Sequence, residues 1–301
     1  MPFAHDHALQ PVSPVSASPV SASLDALARA KEAQLIAWFR EKGSALIGFS
    51  GGVDSAYLAC VALEALGAQQ VLAVIGRSAS YPEAQWTRAR EVADRFGVPV
   101  LEVNTDELND PRYAANPTDR CYFCKSELWS RLAPLAEERG LAVIVDGTNA
   151  DDLSDHRPGG RAARERGVAS PLADLGLTKR EIRALSAVRG IPTWDQPSSP
   201  CLSSRLPYGT AVTPLRLRTV ESAEASLRAL GIEGNLRVRY FGTTARVELD
   251  PGLVAYWSVG DARVRLDREV RAAGFTEVEV DPRGFRSGAL NVLAGVTAGE
   301  V

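Results

Sequence analysis

The stretch Leu46–Cys60, LIGFSGGVDSAYLAC, decides how the chain is read. An apolar run stops at Ser50-Gly51-Gly52, an Asp54-Ser55 pair follows, and apolar residues then resume at helical spacing. Two glycines at a strand exit let the backbone turn its N–H groups outward and approach an anion closely. The helix opening at Val53 adds unpaired N–H groups and a partial positive charge. Together these features predict a phosphate cradle. Ser50 and Ser55 bring further hydroxyl donors, and Asp54 is placed to help position a magnesium ion. The loop has neither the Lys-Ser/Thr ending of a Walker A motif nor the three glycines of a dinucleotide fingerprint. The bland alternative is a tight strand-to-helix turn with a serine cap, but the full Ser-Gly-Gly-x-Asp-Ser pattern is more specific than such a turn needs.

Outward from this loop the chain alternates between helix and strand. Leu24, Leu27, Leu35, Ile36 and Phe39 recur at roughly helical spacing between Ser23 and Lys42, with Gly43 as the stop. SALIGFS (44–50) reads as a strand and 53–66 as a helix closed by Gly67. QVLAVIG (70–76), a helix from Pro82 to Phe96, VPVLEVN (98–104), a helix near 119–139 and LAVIVDGTN (141–149) follow. This alternation predicts an α/β fold with a parallel sheet covered by helices on both faces. Residues 150–175 are polar, charged and glycine-containing, and read as a loop or mobile segment. After a helix at 178–189, four prolines (192, 197, 200, 207) make 191–209 a rigid, positioned loop. Beyond Gly209 a helix (214–230), two alternating strands, a helix (260–273) and TEVEVD predict a small α+β C-terminal domain, 210–301, after a main domain at 24–209.

Composition narrows the class. The 301 residues are 45% hydrophobic and 24% charged, with a formal net charge of −3, which speaks against broad nucleic-acid binding. No window is apolar enough for a membrane span. The N-terminus has no secretory signal, and its Pro, Ser and Ala content, with PVSAS occurring twice, predicts a disordered tail over 1–23. His5 and His7 lie in that tail and read as solvated. A cytoplasmic location follows, and His156 leaves little room for chemistry built on histidine bases.

Four cysteines do not make a secreted disulfide framework. Cys60 sits at an apolar helical position and reads as core. Cys121 and Cys124 span one helical turn in TDRCYFCKSELW, and Cys201 arrives on the proline-rich loop. A structural zinc would want a fourth ligand, and no histidine offers itself. Three readings stay open: unrelated packing thiols, a redox or persulfide relay with Cys201 carrying sulfur, and a [4Fe–4S] cluster on three thiolates with one iron free. Arg120, Lys125 and the helix start are expected to lower the thiol pKa values.

The loop itself resembles the PP-loop of ATP pyrophosphatases, which adenylate a substrate oxygen and release pyrophosphate. In that resemblance Ser50, Gly51, Gly52, Asp54 and Ser55 hold the phosphates of ATP, and Arg77 and Ser78 lie at the end of the second strand, near adenine and ribose. Taken with RCYFCK, DGTNADD, SPCLSSRLPYG and GFRSGALN, the chain from about residue 30 to 292 resembles the LarE family of ATP-dependent sulfur transferases. Members activate the carboxylates of pyridinium-3,5-biscarboxylic acid mononucleotide and replace oxygen with sulfur, toward the nickel-pincer cofactor of lactate racemase. The cysteine matching Cys201 either surrenders its own sulfur or joins the C-x-x-C pair on a cluster. With all three cysteines present, the resemblance favours Cys121, Cys124 and Cys201 on a [4Fe–4S] cluster.

The substrate carries a phosphate and carboxylates, so cations should converge near Cys201. Ser203, Ser204 and Arg205 follow it on the loop. Arg237 and Arg239, two apart on a strand, share a face and match the family's anion site. Of Glu221 and Glu224 on the preceding helix, Glu221 is the one taken as a substrate contact, and Arg286 reads as a subunit contact or clamp. Asp54 and Cys201 are the catalytic candidates. The resemblance further implies ATP, Mg2+, sulfide or another sulfur donor, and a homo-oligomer, a hexamer. The rivals are a PP-loop transfer-RNA thiolase, disfavoured by the acidic balance, and a protein that binds ATP or a cluster without turnover.

Overall fold

The computed structural model describes residues 19–154, 158–293 and 295. Four parallel strands form the first sheet in the order β3-β2-β1-β4: β1 (Ala45–Gly48), β2 (Val71–Arg77), β3 (Val100–Asn104) and β4 (Val143–Val145). They alternate with α1 (Pro19–Lys42), α2 (Val53–Leu66), α3 (Glu83–Phe96), α4 (Pro111–Ala114), α5 (Arg120–Glu138), α6 (Pro158–Glu165), α7 (Pro171–Asp174) and α8 (Lys179–Val188). Side chains along a strand point alternately to its two faces, and the cores follow that period. Ala45, Ile47, Ala73 and Ile75 face Phe39 of α1, Tyr57 and Leu58 of α2, Val92 of α3 and Ile182 of α8. Leu46 and Val74 face the other way, onto Trp129 and Leu132 of α5 and Ala162 and Ala163 of α6. The α/β architecture with helices on both faces is therefore present.

Three boundaries depart from the sequence reading. The first helix starts at Pro19 rather than Ser23, and the rest of the expected tail, His5 and His7 included, lies outside the described residues, as does His156. The fourth strand ends at Val145 because the Asp146 carboxylate turns the chain, accepting from Thr148 N (3.1 Å), Thr148 Oγ1 (2.9 Å) and Ser170 Oγ (2.8 Å). The segment 150–175, read as loop, contains α6 and α7. Its arginines mask the adjacent small residues Ala162 and Ala163, which are buried among α5 side chains, while Arg161 lies 4.1 Å over the Tyr122 ring. Packing against α5 outweighs the polar composition.

Helix α8 begins with a capping box. Thr178 Oγ1 accepts from Glu181 N (3.3 Å), and the Glu181 carboxylate accepts from Thr178 N (2.8 Å) and from Lys31 of α1 (2.8 Å). Thr178→Ala removes one arm of this box and should cost about 1 kcal/mol. A lowered denaturant midpoint with unchanged slope is the expected readout; an unmoved midpoint would show that the cap contributes nothing.

The second unit comprises α9 (Pro214–Ala229), β5 (Leu236–Phe241), β6 (Thr244–Leu249), α10 (Pro251–Trp257), α11 (Gly260–Ala272), β7 (Glu277–Val280) and α12 (Ala289–Leu293). Strands β5 and β6 form an antiparallel pair, and β7 joins β6 in parallel. Leu217, Val220, Val238, Val247 and Leu266 form its core, joined by Tyr113, Leu202 and Leu206 from the preceding chain. Helix α10 was hidden because Pro-Gly reads as a turn, whereas Pro251 sits at the helix start, where its missing N–H costs nothing. Among the described residues no helix is long and apolar enough to cross a membrane.

Candidate active site

The 50–55 loop leaves β1 at the C-terminal edge of the parallel sheet, the place where open α/β sheets bind ligands. Gly51 is buried with φ +68°, and a Cβ there would lie 2.5 Å from that of Ala89 in α3. Only glycine meets both demands. The Ser50 carbonyl is held from α3's side by Tyr81 OH (2.9 Å) and Gln85 Nε2 (2.8 Å). Ser50 and Ser55 hydroxyls face each other at 3.1 Å, and Ser55 Oγ donates to the Gly52 carbonyl (3.2 Å). No side chain caps α2, and the acidic residue in its first turn is Asp54. Gly147, from DGTN, closes the back: a Cβ there would lie 3.0 Å from Ser55 N.

Asp54 stands in the first turn of α2, paired with Lys179 Nζ at 2.5 Å, while its buried Oδ1 has no hydrogen-bond partner. An orphaned carboxylate oxygen beside a phosphate cradle fits a magnesium ligand. Lys179 was not anticipated. It opens α8, a helix distant in sequence, and only the fold brings it to the loop. Arg77 is engaged by Glu83 (3.0 Å) and stacks 4.7 Å over Trp86, with Nη1 buried and unpartnered. Ser78 Oγ donates to Glu107 (2.5 Å), which also accepts from Ser80 Oγ (2.9 Å).

The three site cysteines converge from two segments. Cys121 is exposed at the start of α5, whereas Cys124 and Cys201 are half-buried. The charges of Cys121 and Cys201 both reach Cys124. The expected fall in thiol pKa does not hold for Cys124: burial first, then the Glu107 carboxylate, push it up, and Lys125 only partly offsets them. Cys60 is buried in the core as expected, its thiol pushed up to about 12 by burial. Among the described residues no three His, Cys, Asp or Glu side chains are gathered tightly enough for a single metal ion.

The Cys201 loop is held by its backbone. Leu202 N donates to Ser80 O (2.8 Å), and the Cys201 carbonyl accepts from Ser204 N (3.0 Å), Ser204 Oγ (2.7 Å) and Arg205 Nη1 (3.1 Å). Arg205 is fully buried and forms a two-pronged pair with Glu224, 2.9 Å on each arm. Glu224 is thus the partner of Arg205, while Glu221, the expected substrate contact, accepts from Glu83 N (2.7 Å) at the start of α3. The two glutamates are three residues apart, and sequence alone does not separate their directions.

Arg237 and Arg239 are both buried. Arg239 is neutralised by Glu248 (2.7 Å) and donates to Ser204 O (2.9 Å). Arg237 has carbonyl partners only, on Leu236 and Ser198, and lies 5.2 Å over the Phe285 ring. Burial, then the neighbouring Arg205, lower its pKa to about 10. It stays cationic at neutral pH, and among the described residues no carboxylate lies within ion-pair distance of it, although Glu224 is near enough to offset part of the shift, which suits an incoming anion. A cavity of about 190 Å³ opens there, lined by Arg237, Arg239, Ser204, Arg120, Tyr208 and Phe285 among others. Arg286 pairs with Asp281 (3.3 Å).

Comparison with known proteins places this geometry. Residues 37–121 match the NAD synthase family model. An uncharacterized protein of Synechocystis sp. is 43% identical over 84% of this chain and 94% of its own length. The pyridinium-3,5-bisthiocarboxylic acid mononucleotide synthase of Lactiplantibacillus plantarum is 34% identical over 87% of this chain and 94% of its own. An NH(3)-dependent NAD(+) synthetase of Methanococcoides burtonii is 31% identical over 49% of this chain. With similarity of that extent, a phosphate loop on an α/β sheet and a cysteine loop beside buried arginines, the chain belongs to the LarE family of pyridinium-3,5-bisthiocarboxylic acid mononucleotide synthases.

Proposed function

We propose that this ATP-using sulfurtransferase inserts sulfur into pyridinium-3,5-biscarboxylic acid mononucleotide, toward the nickel-pincer cofactor of lactate racemase. The observation that carries the reading is Arg237, a buried guanidinium in the cavity wall near Cys201 that has, among the described residues, no carboxylate within ion-pair distance. A mononucleotide phosphate is an anion of the right kind for it and for Arg239.

The 50–55 loop holds the pyrophosphate end of ATP, with Asp54 on magnesium and Lys179 beside it. A substrate carboxylate oxygen attacks the α-phosphorus and pyrophosphate leaves. Sulfide then attacks the acyl carbon and expels AMP; where the Cys201 thiolate attacks instead, AMP leaves a thioester, and loss of the Cys201 Cα proton with cleavage of its Cβ–Sγ bond releases the thiocarboxylate and leaves dehydroalanine at 201. Positioning and charge stabilisation supply most of the rate. Arg77 and Ser78 lie beside the nucleoside, and Ser204 and Arg205 shape the cysteine loop.

Cys121 and Cys124 from the start of α5 and Cys201 from the proline-rich loop would be the thiolates that hold a [4Fe–4S] cluster. When bound, such a cluster supplies an iron without a protein ligand, where sulfide can be held. The protein acts in the cytoplasm as a homo-oligomer, a hexamer by family resemblance.

The test is turnover by anaerobically purified full-length protein given ATP, the mononucleotide and sulfide. Mononucleotide-dependent pyrophosphate release and a thiocarboxylate product are expected, with about four irons per chain that Cys124→Ala loses. Pyrophosphate release without sulfur incorporation would overturn the sulfurtransferase reading. An active, iron-free wild type would replace the cluster with sacrifice of Cys201.

A further inference from the structure

Arg120 has so far been read only as a charge beside the thiols. It opens α5, next to Cys121, and is only 5% exposed. Burial of a guanidinium is costly unless something anionic meets it. Yet among the described residues no carboxylate lies within ion-pair distance of it. Its Nη1 donates to the Asn116 amide oxygen (2.5 Å), its plane lies 5.3 Å over the Tyr208 ring, and its Nε is buried with no partner. It lines the same cavity as Arg237 and Arg239.

The guanidinium is also deliberately held. Asn116 is fully buried and, among the described residues, the sole non-glycine with positive φ (57°), a conformation that asparagine tolerates better than most residues. Its amide nitrogen donates to the carbonyls of Pro207 (2.8 Å), Thr210 (2.9 Å) and Leu206 (3.4 Å). One strained residue therefore ties the cysteine loop to Arg120 and fixes the fork relative to Cys201.

The cavity thus has two distinct cationic centres. Arg237 lies over the Phe285 ring and Arg239 is bonded to Glu248 and Ser204 O, whereas Arg120, next to Cys121 in the chain, lies over the Tyr208 ring. If Arg237 and Arg239 take the phosphate, Arg120 faces the cysteine side with its fork incompletely used. The substrate of the function proposed above carries two carboxylates, and while one is activated the other stays ionised inside the cavity.

We propose that Arg120 is a specificity-determining residue that binds the carboxylate not being activated, so that the enzyme selects a dicarboxylate ring over a monocarboxylate one. The inference rests on the functional reading above, and its test separates the two. Binding to the full-length, anaerobically purified protein is measured for pyridinium-3,5-biscarboxylic acid mononucleotide and for nicotinic acid mononucleotide, which has the same ribose phosphate and one carboxylate fewer. The wild type should prefer the dicarboxylate by about tenfold to a hundredfold, the worth of hydrogen bonds to a charged group. Arg120→Gln should bring the ratio near one by weakening the dicarboxylate alone. Arg120→Lys, which keeps the charge in the buried site, should retain part of the preference and carries the test if glutamine costs folding, with ATP binding on the same samples reporting an intact loop. An unchanged ratio would mean that Arg120 serves only the thiolates, and equal loss of both ligands would mean a phosphate or purely structural role; either overturns the inference. A wild type that binds neither mononucleotide sinks the functional reading and the inference with it.

Discussion

Replacing Cys201 with alanine is expected to lower the thiocarboxylate yield by at least about 10³-fold, because a reacting sulfur or its mooring is lost outright. Mononucleotide-dependent pyrophosphate release should persist, since the phosphate loop, Asp54 and Lys179 lie on other segments. The substitution is a clean one. The loop is held through the Cys201 carbonyl, which accepts from Ser204 and Arg205, and not through the thiol. Mass analysis of the product alongside a pyrophosphate assay checks both halves. A variant that still makes thiocarboxylate at the wild-type rate would remove Cys201 from the chemistry under either sulfur route.

Gly51→Ala should damage the other half of the reaction. At φ +68° an alanine costs about 1–2 kcal/mol in backbone strain alone. Its Cβ would also stand 2.8 Å from the Ala89 Cα, a backbone atom of α3 that cannot swing aside. Overpacking of that kind adds about 1–3 kcal/mol. The loop escapes by re-aiming its N–H groups, so ATP affinity should fall by about a hundredfold or more, with a lowered melting temperature. Adding Ala89→Gly should relieve only the 2.5 Å contact with the Ala89 Cβ, leaving the backbone contact and the strain, so recovery should be partial. ATP affinity in the single variant within twofold of wild type would show that the cradle does not depend on this turn.

Much of this was legible in the sequence for physical reasons. The strand-loop-helix around Gly51 is local: apolar run, two glycines and a helix start lie within fifteen residues, and each carries its own signal. Cys121 and Cys124 are one helical turn apart, so their sharing a side needed no tertiary information. What escaped was non-local. Lys179 meets Asp54 only because α8 packs beside α2. Whether Glu221 or Glu224 turns inward depends on what α9 meets, and Arg205 fixes the answer. The burial of Arg237 and Arg239 could not be read from an alternating strand, since Glu248, which neutralises Arg239, sits on the neighbouring strand. The rise in the Cys124 pKa has the same origin: nearby Lys125 is visible in the sequence, whereas burial and Glu107 are supplied by the fold.

The shared core of the two units has a bearing on how the enzyme is made. Tyr113, Leu202 and Leu206 complete the hydrophobic interior built by α9, β5, β6 and α11. The loop carrying Cys201 therefore leaves the ribosome well before the segments that hold it in place. The ATP-handling sheet can assemble from nascent chain while its sulfur end is still unfinished, and the cysteine site closes only as the last strands arrive.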